Sequence, residues 1–247
     1  MVVTMKLIVR NINLDQLRGI SVLGMMLYHA IFIASYTDII GLQILESSIV
    51  RVMADTVRIA FFVLVGVSSW LVYSKNDSWR SYILSQFKRA NRLLYLAISI
   101  TIATFIFFRE SAIYFGVLHS IGFGIILSMW FVRSYYLSLL GAVAFFVSGI
   151  YFSICQDSLY ILGYISGSGC MVMNTFDYFP LSPWLGYIFV GQVFAKYLIR
   201  ILDLFFCFNN RFSPILAWIG RNSLVLYMLH IPFLYSVAWL VSFFVLD

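Results

Sequence analysis

The sequence predicts an all-α fold, a polytopic integral membrane helical bundle of about seven transmembrane helices, with the N-terminus cytoplasmic and the C-terminus outside. Composition is the first observation behind this: 62% of residues are hydrophobic, only 11% are charged, and the mean hydropathy is +0.96. A soluble domain carries about a quarter charged residues. So few charges cannot build a water-facing surface, and lipid becomes the solvent for most of the chain. The second observation is a series of apolar runs of spanning length, and the third is the placement of Lys and Arg. The 19% aromatic content suits lipid-facing helices with Tyr and Trp anchored at the interfaces.

A helix that crosses the hydrocarbon core needs ~20 apolar residues. In order, the candidate spans are 16–36, 54–74, 91–108, 112–131, 134–154, 181–200 and 220–245. The stretch SLYILGYISGSGCMVMNTF at 158–176 is apolar but broken by Gly-Ser-Gly, and it reads as a re-entrant or interfacial loop. Irregular backbone exposed to lipid would leave its amides unpaired. The opening MVVTMKLIVRNINLDQLRG has too short an apolar run for a cleavable signal, and neither end carries a lipidation motif. Residues 1–247 are expected to form one transmembrane domain, without internal repeats.

Orientation follows from the basic residues. With the N-terminus inside, Lys6, Arg10, Arg18, Lys75, Arg80, Lys88, Arg89, Arg92, Arg133, Lys196, Arg200, Arg211 and Arg221 all fall on the cytoplasmic half. Only Arg51, Arg58 and Arg109 fall on the outer half, where most acids also lie. The net charge of +6 then reflects topology, and no nucleic-acid partner is expected. The lipid bilayer is the expected partner, and the plasma membrane the expected location. Cys155, Cys170 and Cys207 lack metal-ligand spacing and read as apolar fillers, with a Cys155–Cys170 disulfide on the outer side left open.

His29, His119 and His230 are the three histidines, and each falls inside a predicted span. Counted from the nearest flanking Arg at ~1.5 Å per residue, they lie ~16, ~15 and ~14 Å deep. In a core ~30 Å thick these depths meet near the midplane. Each ring could simply fix helix packing by hydrogen bonding across an interface. Three at one depth favour a shared polar cavity instead, because polar groups in a membrane are costly. Imidazole accepts and returns a proton near neutral pH, which suits general base catalysis or a proton relay. No metal site is expected, since no acids lie at that depth and no two His share a helix face.

Charged and polar residues at the helix ends supply the other candidates. Asp15 and Arg18 share one face at the cytoplasmic entrance, and Arg18 falls on nearly the same side as His29. Asp55 and Arg58 are spaced as a pair at the outer start of the second span. Lys88, Arg89 and Arg92 follow the amphipathic WRSYILSQFKRANR, either as an ordinary positive-inside cluster or as a phosphate clamp. On the outer side, Asp177 is placed to meet a polar substrate and Trp184 to anchor at the interface. Asn222 and Ser223 sit at the inner mouth of the last span, as caps or as anion contacts.

Read in order, LDQLRGI with the later His29, FFVLVGVS, FGVLHSIG, DYFPLSPWLG and IGRNSLVLYMLH resemble the heparan-alpha-glucosaminide N-acetyltransferase catalytic domain family over roughly residues 13–232. More distantly they resemble the acyltransferase-3 membrane enzymes, which share the opening Asp-x-x-Arg-Gly and His. The resemblance implies a helical enzyme that takes acetyl groups from cytosolic acetyl-CoA and delivers them to an acceptor amine or hydroxyl on the far side, a sugar amine in the lysosomal members. Under it His29, His230 and Asp55 are the candidate catalytic groups. Arg18, Lys88, Arg89, Arg92, His119, Trp184, Asn222 and Ser223 are candidate acetyl-CoA contacts or cavity lining. Asp177 and Arg58 are candidate acceptor contacts. A homodimer and a monomer both stay open. The lysosomal relatives place an active His in the outer segment after this helix; here 37–53 holds none, and His29 lies within the span. Two other readings also stay open: a proton-coupled transporter or channel with a midplane histidine site, and a membrane scaffold without activity.

Overall fold

The computed structural model of this chain describes residues 11–154, 175–205 and 213–245. Cys155, Cys170, Cys207 and most of the expected re-entrant segment lie outside the described residues. Among the described residues the structure is helical, with no strand beyond one isolated bridge between Phe115 and Tyr178. The helices are α1 (Ile12–Tyr36), α2 (Leu42–Leu45), α3 (Ser48–Lys75), α4 (Trp79–Phe107), α5 (Val117–Ser128), α6 (Tyr135–Ile154), α7 (Leu181–Val193), α8 (Ala195–Phe205), α9 (Ser213–Arg221) and α10 (Ser223–Val245). Each predicted span overlaps a helix. α4 starts earlier than expected because the amphipathic stretch is continuous with the apolar one. Ser78 opens it, accepting from the Ser81 N–H at 3.2 Å.

By length and composition, α1, α4 and Ser223–Phe244 of α10 can cross a membrane. Leu181–Val193 and Ala195–Leu204 are bent by 69° at their junction and make a fourth if the pair is one span. α5 and Tyr135–Tyr151 of α6 are apolar but shorter. On α6, Tyr136, Leu140, Val143, Val147 and Ile150 form an exposed apolar stripe at helical spacing. In water such a stripe would be a liability; lipid is its natural solvent.

The chain divides into two compact units, residues 1–61 with 199–247, and residues 62–198. In the first, α1 is started by Asn11, whose side chain accepts from the Leu14 N–H at 3.0 Å. It ends at Asp38, which takes the left-handed conformation (φ 57°) usually left to Gly or Asn. α1 packs on α9 and α10. The α1–α9 contact rests on two glycines: a Cβ on Gly19 would strike the Leu216 carbonyl, and one on Gly220 the Asp15 carbonyl. Polar ties at the same end join the Gln16 amide to the Ser213 hydroxyl, and the Asn13 amide to Asp203 Oδ1 at 2.7 Å.

In the second unit α4 packs on α5, and α7 packs on both α5 and α6. Phe62, Val65, Ala90, Ile121, Ile125, Phe179 and Ile188 form its core. α3 and α7 approach through Gly66 and Gly191, whose added Cβ atoms would strike the Ile188 and Val63 carbonyls. Buried Gln192 ties three helices together. Its amide donates to the last carbonyl of α5, at Ser128 (3.1 Å), and its oxygen accepts from Ser138 on α6 (3.2 Å). The helix-end carbonyl is satisfied without water.

Candidate functional site

His29 and His230 meet in the first unit. α1 and α10 pack together, so residues at equal depth on the two helices become neighbours. The rings stand 4.9 Å apart, centroid to centroid, at 66°. His29 Nδ1 lies 3.3 Å from His230 Nε2 and 3.0 Å from the Met25 carbonyl oxygen, one turn back on its own helix. His230 Nδ1 lies 2.6 Å from the Tyr227 carbonyl oxygen. His230 is buried, whereas His29 is half-buried.

Aromatic rings and one cation frame this pair. Tyr28 stands edge-on to His29 at 5.4 Å, and Tyr227 lies 5.5 Å from His230. The Arg58 guanidinium sits over the Tyr28 ring at 5.5 Å, within the range of a cation–π contact. Arg58 in turn holds Asp55 Oδ1 at 2.9 Å, confirming the spacing-based pairing. Asp55 is the more exposed partner, so its described contact with the histidine region runs through Arg58 and Tyr28.

Near the N-terminal end of α1, Arg18 donates to buried Asp15 at 2.7 Å. The guanidinium expected to contact acetyl-CoA therefore also serves as counter-ion to a buried carboxylate. Asn222 sits between α9 and α10, and its amide donates to the Trp218 carbonyl at 2.9 Å. That contact closes the C-terminal end of α9; it is not the cap on the start of the last span that the sequence suggested. Ser223 is the first residue of α10.

The remaining candidates lie in the second unit. His119 opens α5: its Nδ1 accepts from the Gly116 N–H at 3.3 Å, and its Nε2 faces Thr101 Oγ1 at 3.5 Å. Thr101 Oγ1 donates its own hydrogen bond to the Ile113 carbonyl at 2.7 Å. These contacts tie α5 to α4, which is the packing alternative for this histidine. Asp177 Oδ2 accepts from the Val117 N–H at 3.0 Å, at the first turn of α5. Trp184 packs on Phe179 at 4.8 Å and Phe62 at 5.3 Å. Lys88 and Arg92 are exposed and one turn apart on α4, with half-buried Arg89 between them.

The contact of His29 with His230 is closer than matching depth could reveal; the sequence places Tyr227 on the same span as His230 but does not mark Tyr28 beside them. Nothing in the sequence marks Gln16 or Thr101, because each acts through a partner fixed only by the fold. No group of three or more His, Cys, Asp or Glu able to hold a metal ion occurs among the described residues. Chemically, two touching imidazoles, one of them half-exposed, can take up and return a proton.

A model of the family described as "Heparan-alpha-glucosaminide N-acetyltransferase, catalytic" matches residues 10–232. No curated protein matches the chain. No solved structure matches it.

Proposed function

This chain belongs to the heparan-alpha-glucosaminide N-acetyltransferase catalytic family, and from that premise we propose that it moves an acetyl group from cytosolic acetyl-CoA to an amine or hydroxyl acceptor, a sugar, on the outer side of the membrane. Membership makes the chain a membrane acyltransferase in general. The donor and acceptor follow the family description, and the reading of the residues is carried by one observation, the contact of His29 with His230 on two apolar helices. A pair of imidazoles in lipid-facing helices is costly to keep without a use.

His29 takes the proton of the acceptor amine or hydroxyl. The bond from the acceptor atom to the acetyl carbon forms, and the bond from that carbon to the CoA sulfur breaks. The proton held by His29 then passes to the departing thiolate, so the imidazole ends neutral as it began. Lys88, Arg89 and Arg92 are assigned to the donor's phosphates, since Arg and Lys give charge-assisted hydrogen bonds to such groups. The family match runs through both compact units, which supports one catalytic domain. The reading also takes the seven-span topology, N-terminus inside, and the plasma membrane as the location.

The test uses the full chain in lipid nanodiscs, with acetyl-CoA as donor and glucosamine as probe acceptor. Acetyl-CoA is expected to raise the melting temperature, and an unrelated nucleotide is not. His29→Ala should lower transfer by roughly 10²–10⁴-fold while the protein still inserts and melts cooperatively. Wild-type turnover in that variant would remove His29 from the chemistry.

A further inference from the structure

We propose that Nε2 of His29 is the reacting nitrogen, and that His230 is a positioning residue which holds it so; this rests on the acyl-transfer reading above. The argument is a proton count around two rings. A carbonyl oxygen only accepts hydrogen bonds, so a ring nitrogen facing one must carry hydrogen. His230 Nδ1 faces the Tyr227 carbonyl at 2.6 Å and is therefore N–H. A neutral imidazole carries one hydrogen, which leaves His230 Nε2 with a lone pair.

That lone pair points at His29 Nδ1, 3.3 Å away. His29 Nδ1 also faces the Met25 carbonyl at 3.0 Å, so it too is N–H and divides its hydrogen between the two acceptors. The remaining nitrogen, His29 Nε2, carries the lone pair, and among the described residues none hydrogen-bonds to it. Every other ring nitrogen of the pair is engaged. The one free lone pair belongs to the ring with the greater accessible surface.

When His29 Nε2 takes a proton, Nδ1–H becomes the donor of an imidazolium. Its two acceptors are already aimed, and His230 stabilises the new charge without moving. His230 thus occupies the place that a carboxylate holds in a hydrolase triad, fixing tautomer and orientation, but as a neutral ring that costs less to bury in lipid. The Tyr227 carbonyl completes the chain by fixing His230 in turn. His119 supplies an internal contrast. Its Nδ1 accepts from a backbone N–H, so its hydrogen sits on Nε2.

With only three histidines in the chain, nitrogen-15 NMR of the histidine-labelled full-length protein in nanodiscs can read each tautomer, with single His→Gln variants giving the assignments. The expected result is Nδ1–H at His29 and His230, and Nε2–H at His119. An Nε2–H tautomer at His29 would overturn the proposal. Kinetics provide the second arm, with acetyl-CoA and glucosamine. His230→Ala should lower kcat by roughly tenfold or more with the KM for acetyl-CoA little changed, the mark of an interaction used after binding. His230→Gln offers an amide oxygen to His29 Nδ1 and should recover most of that loss. Wild-type kcat in His230→Ala, or no recovery in His230→Gln, would overturn the positioning role. An active His29→Ala variant would likewise overturn this inference, whereas no acetyl transfer by the wild-type protein would instead sink the acyl-transfer reading itself, so the two failures are distinguishable.

Discussion

Asp177 accepts from the first N–H of α5, at Val117, across a separation of 60 residues. The initial amides of a helix have no partner within it, and a carboxylate there gains both the hydrogen bond and the positive end of the helix dipole. Gly116 makes room for it. A Cβ at that position would sit 2.5 Å from Asp177 Oδ2 and 2.8 Å from Ile113 Cγ2. Beside it, Thr175 Oγ1 donates to the Ala112 carbonyl at 2.8 Å, and the Phe179 N–H donates to the Phe115 carbonyl at 2.9 Å. The residues around DYFP are thereby laced to those before α5. Asp177→Ala should cost about 1 kcal/mol, the usual worth of a lost cap, and lower the melting temperature in detergent. Asp177→Asn keeps a side-chain acceptor and should lose less. If Asp177 instead serves only the acceptor, both variants will melt like wild type and raise the KM for glucosamine. The sequence presents Asp177 as an outer acid free to meet a substrate, because a carboxylate's partner sixty residues away leaves no local signal.

At the scale of elements, the helices were legible and their pairings were not. Spanning helices announce themselves because backbone in lipid must satisfy its own hydrogen bonds, so length and apolarity suffice. Pairing in lipid gains nothing from hydrophobicity; it depends on close packing, which small residues permit. Gly19 and Gly220 belong to the Arg-Gly and Ile-Gly-Arg runs that carry the family resemblance, and the structure supplies their physical reason. α1 and α9 approach until each glycine faces the other helix's backbone. The Asp15–Arg18 ion pair and the Gln16 tie to Ser213 lie on the same segment, so the two motifs interlock. Gly220→Ala would drive a methyl group onto the Asp15 carbonyl, which is backbone and cannot swing aside. The expected cost is about 1–3 kcal/mol, read as a lower melting temperature. Because α1 also carries His29, turnover should fall with it even though residue 220 lies far along the chain from that histidine. An alanine variant with wild-type melting and turnover would mean that the helices do not approach this closely. The same logic explains why the sequence brought His29 and His230 to equal depth without predicting contact: depth follows from counting residues, and contact follows from which helices pack.

For the whole molecule, the open quantity is the number of crossings, and helix directions in the second unit bear on it. Along α3, Phe62 packs against Trp184, Gly66 meets Ile188 and Gln192, and Trp70 lies under the Lys196 ammonium at 5.9 Å. Contacts that advance together along both chains mean that α3 and the α7–α8 pair run in the same direction. If α3 enters from outside, α7 does too, and the chain between them must cross an odd number of times. The three helices α4, α5 and α6 satisfy that parity, provided that residues 155–174 return to the side they leave. The bias of basic residues favours the same alternation: Lys75 and Arg80 flank the α3–α4 turn, while Arg51 stands near the other end of α3. Length and composition alone recognise three spans, or four with the bent pair; α3 is not among them, and α5 and Tyr135–Tyr151 of α6 are short. Single-cysteine labelling decides between these counts. With Cys155, Cys170 and Cys207 replaced, a cysteine at Asn76 should react with a membrane-impermeant maleimide only from the cytoplasmic side. One at Glu46 or Glu110 should react only from the outer side, and one at Ser134 from the cytoplasmic side again. Labelling of Glu110 and Ser134 positions from one face would remove α5 as a span, break the parity that α3 and α7 demand, and overturn the seven-crossing topology.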